Sequence, residues 1–171
     1  GTSDELTINL NNVGGTTDII VTDAGGTTNK LETIIFNSTS LPSTVTDLRT
    51  DDGTDADVET TTVKAIGDEL LTITTALDTS VTTVDSTGST GGLVATGANT
   101  TGMTMKGGAG ADTFTSTTGA DTLEGGGGKD TLVPSTGIDT VKGGDGNDTI
   151  KLASGDLTSK DTIDGGDGTD T

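Results

Sequence analysis

A chain of 171 residues with 27% hydrophobic and 1% aromatic residues holds too little hydrocarbon for an ordinary globular core. Its 27 acidic against 8 basic residues give a formal charge of −19, which excludes a nucleic-acid partner for want of a basic patch and makes divalent cations the natural ligands. With neither His nor Cys, it cannot build a disulfide framework, a thiolate site, an HExxH zinc site or a Ser-His-Asp triad, and no enzyme activity is expected.

Residues 1–100 read as short strands broken by turns. Leu6, Ile8 and Leu10 alternate with polar residues, as do Ile34 and Phe36 in LETIIFN and Leu71 and Ile73 in LLTIT. Turn-forming residues separate them in NNVGG (11–15), in DAGGTTNK (23–30) and in the acidic stretch from Arg49 to Asp57. Abundant Thr suits a pleated, half-exposed surface. From about residue 70 apolar positions recur at Ile73, Val84, Val94, Met105 and Phe114, roughly ten residues apart, which predicts one continuous coil. A small β-sandwich is the other architecture open to residues 1–100. The boundary is placed near residue 100, between a Thr-rich region 1–100 and a repeat region 101–171. The acidic loop Asp47–Glu59, with Asp51, Asp52, Asp55 and Asp57, does not fit the EF-hand frame around Gly53. It reads as a solvated loop, or else as a weak calcium site or a bridge between subunits.

From Gly107 the chain falls into blocks of nine: GGAGADTFT (107–115), STTGADTLE, GGGGKDTLV, PSTGIDTVK and GGDGNDTIK. A longer block, LASGDLTSKDTID (152–164), follows, and then GGDGTDT. Each block reads as a six-residue turn and a three-residue strand whose middle residue points away from its neighbours. These middle residues are Phe114, Leu123, Leu132, Val141, Ile150 and Ile163. Two blocks make one coil, so Phe114, Leu132 and Ile150 stack in one parallel sheet and Leu123, Val141 and Ile163 in the other. Thr stands at the seventh place of every block, from Thr113 to Thr171, and points outward.

The turns bring oxygen atoms together. Gly at the first, second and fourth places adopts backbone angles closed to other residues, so carbonyls converge, and the Asp at place six adds a carboxylate. Turns stacked ~4.8 Å apart leave an ion midway ~2.4 Å from each along the axis. Calcium, with six to eight oxygens at about 2.3–2.6 Å, fits this better than magnesium. On one side the turns are full matches, and their predicted ligands are Gly107, Gly108, Gly110 and Asp112; Gly125, Gly126, Gly128 and Asp130; Gly143, Gly144, Asp145, Gly146 and Asp148; and Gly165, Gly166, Asp167, Gly168 and Asp170. The other side keeps Asp121, Asp139 and Asp161 but loses the paired glycines. Three well-formed ions are expected between the four matching turns, with weaker sites opposite. Asp148 and Asp170 are 22 residues apart instead of 18, so the loop around Gly155–Lys160 bulges by four. With so slight a core, metal-free folding is expected to fail.

GGGGKD (125–130) is not a phosphate loop, since Leu123 stands where the first Gly belongs and Asp130 where Ser or Thr holds magnesium. Asn37-Ser-Thr and Asn99-Thr-Thr match the glycosylation acceptor pattern, which is common by chance. No apolar run approaches the ~20 residues of a membrane span, and no signal peptide is visible. The chain starts without Met and stops within a repeat, and so reads as a piece of a longer polypeptide.

The blocks of residues 107–171 resemble the calcium-binding β-rolls of RTX proteins. More loosely, GTSDELTINL, LETIIF and VTTVDSTGSTGGL leading into MTMKGGAGADTFT resemble the carboxy-terminal half of calcium-dependent bacterial surface-layer proteins. The resemblance implies an all-β fold, a right-handed parallel β-solenoid continuing into the roll. It also implies type I secretion, several Ca2+ ions, an extracellular cell-surface location, and self-association into a lattice or filament without membrane insertion. RTX adhesins and the secretion modules of exoenzymes share the roll and are the alternatives.

Overall fold

The computed structural model describes residues 4–10, 16–20, 31–49, 60–153 and 155–171. The turn segments 11–15 and 23–30 and the acidic residues Asp51–Glu59 lie outside the described residues. Eight strands form one parallel sheet in sequence order: β1 (Asp4–Asn9), β3 (Leu31–Ser38), β5 (Thr62–Gly67), β7 (Thr83–Ser89), β9 (Thr104–Lys106), β11 (Thr122–Gly128), β13 (Thr140–Gly146) and β15 (Thr162–Asp167). The seven alternate strands form the second: β2 (Thr16–Ile20), β4 (Ser43–Arg49), β6 (Leu71–Ile73), β8 (Leu93–Thr96), β10 (Thr113–Thr115), β12 (Thr131–Val133) and β14 (Thr149–Ile150). Each strand of one sheet is followed by a strand of the other, so the chain is a parallel β-solenoid that runs without a break through residue 100 into the repeat region.

Register follows from hydrophobic pattern, because a one-residue slip would turn every inward side chain out. In the larger sheet Leu6, Ile34, Val63, Val84, Met105, Leu123, Val141 and Ile163 form one column across all eight strands. In the smaller sheet Phe114 stacks on Leu132 and Leu132 on Ile150, as the block reading requires. Between the exposed end members Leu6 and Ile163 these columns face each other as the core, and Phe36, Ala65, Leu71, Leu77 and Val81 widen it in the longer early coils. Beside the first column runs a ladder of Thr33, Thr62, Thr83, Thr104, Thr122, Thr140 and Thr162, so the threonine rule of the blocks reaches back to the third strand.

Three expectations need correction. Val94 faces outward between Thr72 and Thr113, and the small Ala95 takes the inward place opposite bulky Phe114. The strand portion of a block is not always three residues, since β11 and β13 each run seven residues into the glycine turn, with Gly126 paired to Gly144. The turns that follow the larger sheet are therefore ordered like strands. Finally, positive φ is taken at the second and fourth glycines of the last three matching turns, as at Gly126 (φ 99) and Gly128 (φ 115), but not at any first glycine nor at Gly108 and Gly110. The register between β13 and β15 confirms an insertion of four, with Thr140 opposite Thr162 and Gly144 opposite Gly166.

Candidate metal centre

Between the sheets, at the corner that follows the larger one, Asp112, Asp130, Asp148 and Asp170 stand in one row. The Asp112 backbone N–H donates to Asp130 Oδ1 at 2.8 Å, Asp130 N–H to Asp148 Oδ1 at 2.8 Å, and Asp148 N–H to Asp170 Oδ1 at 2.9 Å. Each carboxylate thus replaces the ladder hydrogen bond that a strand would supply at the corner. The opposite corner repeats the device: Met103, Asp121 and Asp139 donate to Asp121, Asp139 and Asp161 at 2.8, 2.9 and 3.0 Å. All seven sequence-predicted Asp ligands of the two corners are thereby brought into two rows.

The second oxygen of these groups carries the chemistry. Oδ2 of Asp130, Asp148 and Asp121 is buried without a hydrogen-bond partner. A buried, bare carboxylate oxygen is costly unless a cation meets it. The surroundings are shaped for one. A Cβ placed at Gly107 would overlap the Gly125 carbonyl oxygen and lie 2.6 Å from Asp112 Oδ2. At Gly125 it would lie 2.5 Å from the Gly143 carbonyl and overlap Asp130 Oδ2; at Gly143 it would overlap the Gly165 carbonyl and Asp148 Oδ2. The absence of a side chain at Gly107, Gly125 and Gly143 therefore lets the block's own Asp and a carbonyl of the next coil approach the same point. Among the described residues no three acidic side chains converge. The oxygens that stacked turns offer to a cation are main-chain carbonyls plus single carboxylates, hard donors of the kind Ca2+ takes.

Burial drives the electrostatics in the metal-free chain. It pushes the Asp112 carboxyl up to about 6, against hydrogen bonds from Gly108, Leu93 and Ser86 that pull it down. Asp130 is pushed up to about 7 by burial, aided by the charges of Asp112 and Asp148 above and below it and opposed by the Asp112 N–H. Asp139 is raised chiefly by burial, and the half-buried Asp161 is lowered by the Thr158 and Asp139 backbone N–H groups. A divalent cation would reverse the upward shifts by favouring the ionised form.

The row has a finished upper end. Asp112 receives Leu93 N–H at 2.6 Å and the Ser86 hydroxyl at 3.3 Å on Oδ1, and Gly108 N–H at 3.0 Å on Oδ2. Both of its oxygens have protein donors, unlike Asp130 and Asp148. Asp145 and Asp167 stack on each other at the rim with exposed side chains, outside the buried row.

At the opposite corner Ser116 and Pro134 stand at the places of Gly107 and Gly125, so side-chain atoms occupy the position that the glycines leave bare. Ser116 was passed over in the sequence, yet its Oγ is buried without a partner in the same turn as the bare Asp121 Oδ2. A hydroxyl at the first place of a block was the available signal. Asn99 organises the turn above: its Oδ1 accepts from Thr101 N–H at 2.9 Å and Gly102 N–H at 3.2 Å, and its Nδ2 donates to the Thr79 carbonyl at 2.7 Å. That buried side chain is therefore committed to the fold and not presented as a glycan acceptor.

Two rows of stacked carboxylates, one of them backed by paired glycines, mark a repeat region built to present oxygen atoms to cations. The RTX calcium-binding nonapeptide repeat (4 copies) matches residues 106–141, 133–156 and 158–171. From residue 106 onward this chain is an RTX calcium-binding repeat region, the lower part of a parallel β-solenoid. No curated protein and no solved structure matches the chain.

Proposed function

We propose that this chain is a structural, non-catalytic segment of an extracellular bacterial surface layer, which folds and assembles outside the cell when calcium binds. The observation that carries the calcium half is the make-up of the repeat region's interior: Asp112, Asp121, Asp130, Asp139 and Asp148 are buried beside only four fully buried apolar side chains, Phe114, Leu123, Leu132 and Val141. Five buried carboxylates around so little hydrocarbon cannot stay folded and ionised without counter-charge.

RTX-repeat proteins are typically secreted. With site dissociation constants of ~10⁻⁴–10⁻³ M, as in extracellular modules, the repeat region stays open where calcium is scarce and closes outside, by mass action. A chain exported unfolded would then gain its rod shape at the surface. The surface-layer reading is supported by the unbroken solenoid and by the resemblance of residues 1–106 to such proteins. The absence of His and Cys supports a role without catalysis. Electron microscopy of the chain with calcium and after chelation tests it. Sheets or filaments that appear only with calcium are expected; dispersed rods at every calcium level would remove the lattice from this reading.

A further inference from the structure

The outer face of the larger sheet carries a second pattern that calcium binding does not explain. One residue beyond each inward side chain, the register places Lys64, Asp85, Lys106, Glu124, Lys142 and Asp164 in a single file. The charges alternate strictly over six coils, spaced ~4.8 Å apart over about 24 Å. Three of the chain's eight cationic residues stand here, on a molecule of charge −19. The file is neutral as a whole, and the adjoining column is the uncharged threonine ladder.

Within the chain the central members pair: Lys106 Nζ lies 3.2 Å from Glu124 Oε2, and Lys142 Nζ 3.9 Å from Glu124 Oε1. These groups stay partly in solvent, with side-chain exposures of 44% for Lys106, 33% for Glu124 and 55% for Lys142. The outer members are less occupied. Asp85 Oδ1 serves only its own turn, through Thr87, and Asp164 Oδ1 only Gly166 N–H. Among the described residues Lys64 has no ion-pair partner.

We infer that this stripe is a docking surface for a second copy of the chain, joined antiparallel about a two-fold axis between Lys106 and Glu124. The file read backwards has the opposite sign at every position. Antiparallel copies therefore set Lys64 against Asp164, Asp85 against Lys142 and Lys106 against Glu124, each pair occurring twice, as an isologous contact requires. Parallel copies in register would set like against like at all six positions, which is unfavourable. Elsewhere two copies of so acidic a chain repel each other, and this face gives them a neutral approach.

The stripe is about 24 Å by roughly 10 Å, well under the ~800 Å² per partner of a standard interface, so single pairs are weak and repetition along a lattice strengthens them. Glu124, Lys142 and Asp164 sit on RTX coils, which makes the contact calcium-dependent. This inference rests on the proposed self-association and names its surface and symmetry.

Analytical ultracentrifugation of the whole chain at high concentration, with calcium and low salt, tests it. Lys64→Glu alone and Asp164→Lys alone are each expected to weaken self-association at least 10-fold. An equimolar mixture of the two is expected to restore it, because only the mixed antiparallel pair matches sign at both ends. Lys142→Glu with Asp85→Lys provides a second such pair, and circular dichroism in calcium verifies that each variant folds. Variants that associate like the parent, or a mixture that stays as weak as its parts, would overturn the stripe. A chain that gains β-structure with calcium yet remains a monomer would also overturn it while leaving the calcium reading intact.

Discussion

The coils up to Met105 and the coils after it share the same two sheets, yet they fill the space between those sheets with different materials. Among the described residues, sixteen of the twenty buried apolar ones lie in the first part, from Leu10 to Met105, while the buried aspartates all lie in the second. The early corners are sewn by uncharged side chains: Ser43 Oγ donates to the Leu10 carbonyl at 3.3 Å, Ser89 Oγ to Gly67 at 3.2 Å and Ser86 Oγ to Lys106 at 3.0 Å. In the later corners Asp Oδ1 takes over the stitching, and Oδ2 of Asp121, Asp130 and Asp148 is buried without a protein partner. Hydrophobic burial stabilises a coil under all ionic conditions. A row of buried, ionised carboxylates opposes folding unless a counter-charge meets it. On the proposed reading, one architecture combines a segment held by hydrocarbon with one held by calcium, joined where Ser86 and Leu93 cap Asp112.

The largest effect that would break this contrast is removal of calcium. Hydrogen exchange after chelation is expected to show loss of protection through residues 107–171 and its retention in β3, β5 and β7. Equal loss in both parts would mean that the early core does not stand alone. The complementary change is Phe36→Ala, which empties a fully buried site. It is expected to cost about 3–5 kcal/mol in the early coils whether or not calcium is present. Its effect on the calcium titration of the later coils should be smaller than its effect on early-coil melting.

A finer probe is Gly125→Ala. The added methyl would meet Asp130 Oδ2 and the Gly143 carbonyl, so calcium affinity should fall at least about 10-fold, on the scale of disturbing a ligand's supporting shell. Ser116→Ala, at the corresponding place of the other corner, removes a buried hydroxyl that has no partner and should be neutral or slightly stabilising. Calorimetry on the two variants distinguishes the corners, and equal losses of affinity would erase the difference drawn between them.

The repeat region was legible in the sequence because a nine-residue phase of Gly, Asp, Thr and one apolar residue admits few arrangements. Phe114 over Leu132 and Leu123 over Val141 followed from counting alone. The early coils were harder, since their lengths differ: Thr33 pairs with Thr62, Thr62 with Thr83 and Thr83 with Thr104. With no fixed period, the spacing of apolar residues drifted and put Val94 on the wrong side by one position. The separate duties of the glycines could not be read either. A first-place Gly that admits a neighbouring carbonyl and a second-place Gly such as Gly126 that takes positive φ are the same letter, and only the backbone angle tells them apart.

The smallest and most discriminating effect concerns protons. In the metal-free folded chain Asp112 and Asp130 titrate at about 6 and about 7, against 3.8 for an unperturbed carboxyl, and Asp139 is shifted the same way. Between about pH 4 and pH 7 the folded state therefore binds more protons than the unfolded one, so its stability rises as the pH falls through that window. Asp161 is lowered and adds stability lost only below the ordinary carboxyl range, outside the window. Metal-stripped protein is thus expected to gain β-signal as the pH drops from about 7.5 to about 5, protons standing in part for calcium. With limiting calcium the trend inverts, because protons compete for the same oxygens and raise the calcium needed at half-saturation. Relief of the overall negative charge acts in the same direction as the first effect, so Asp130→Asn provides the control: it should flatten the metal-free pH dependence without abolishing it. A metal-free signal that falls or stays level on acidification would show that buried carboxylates are not what keeps the later coils open.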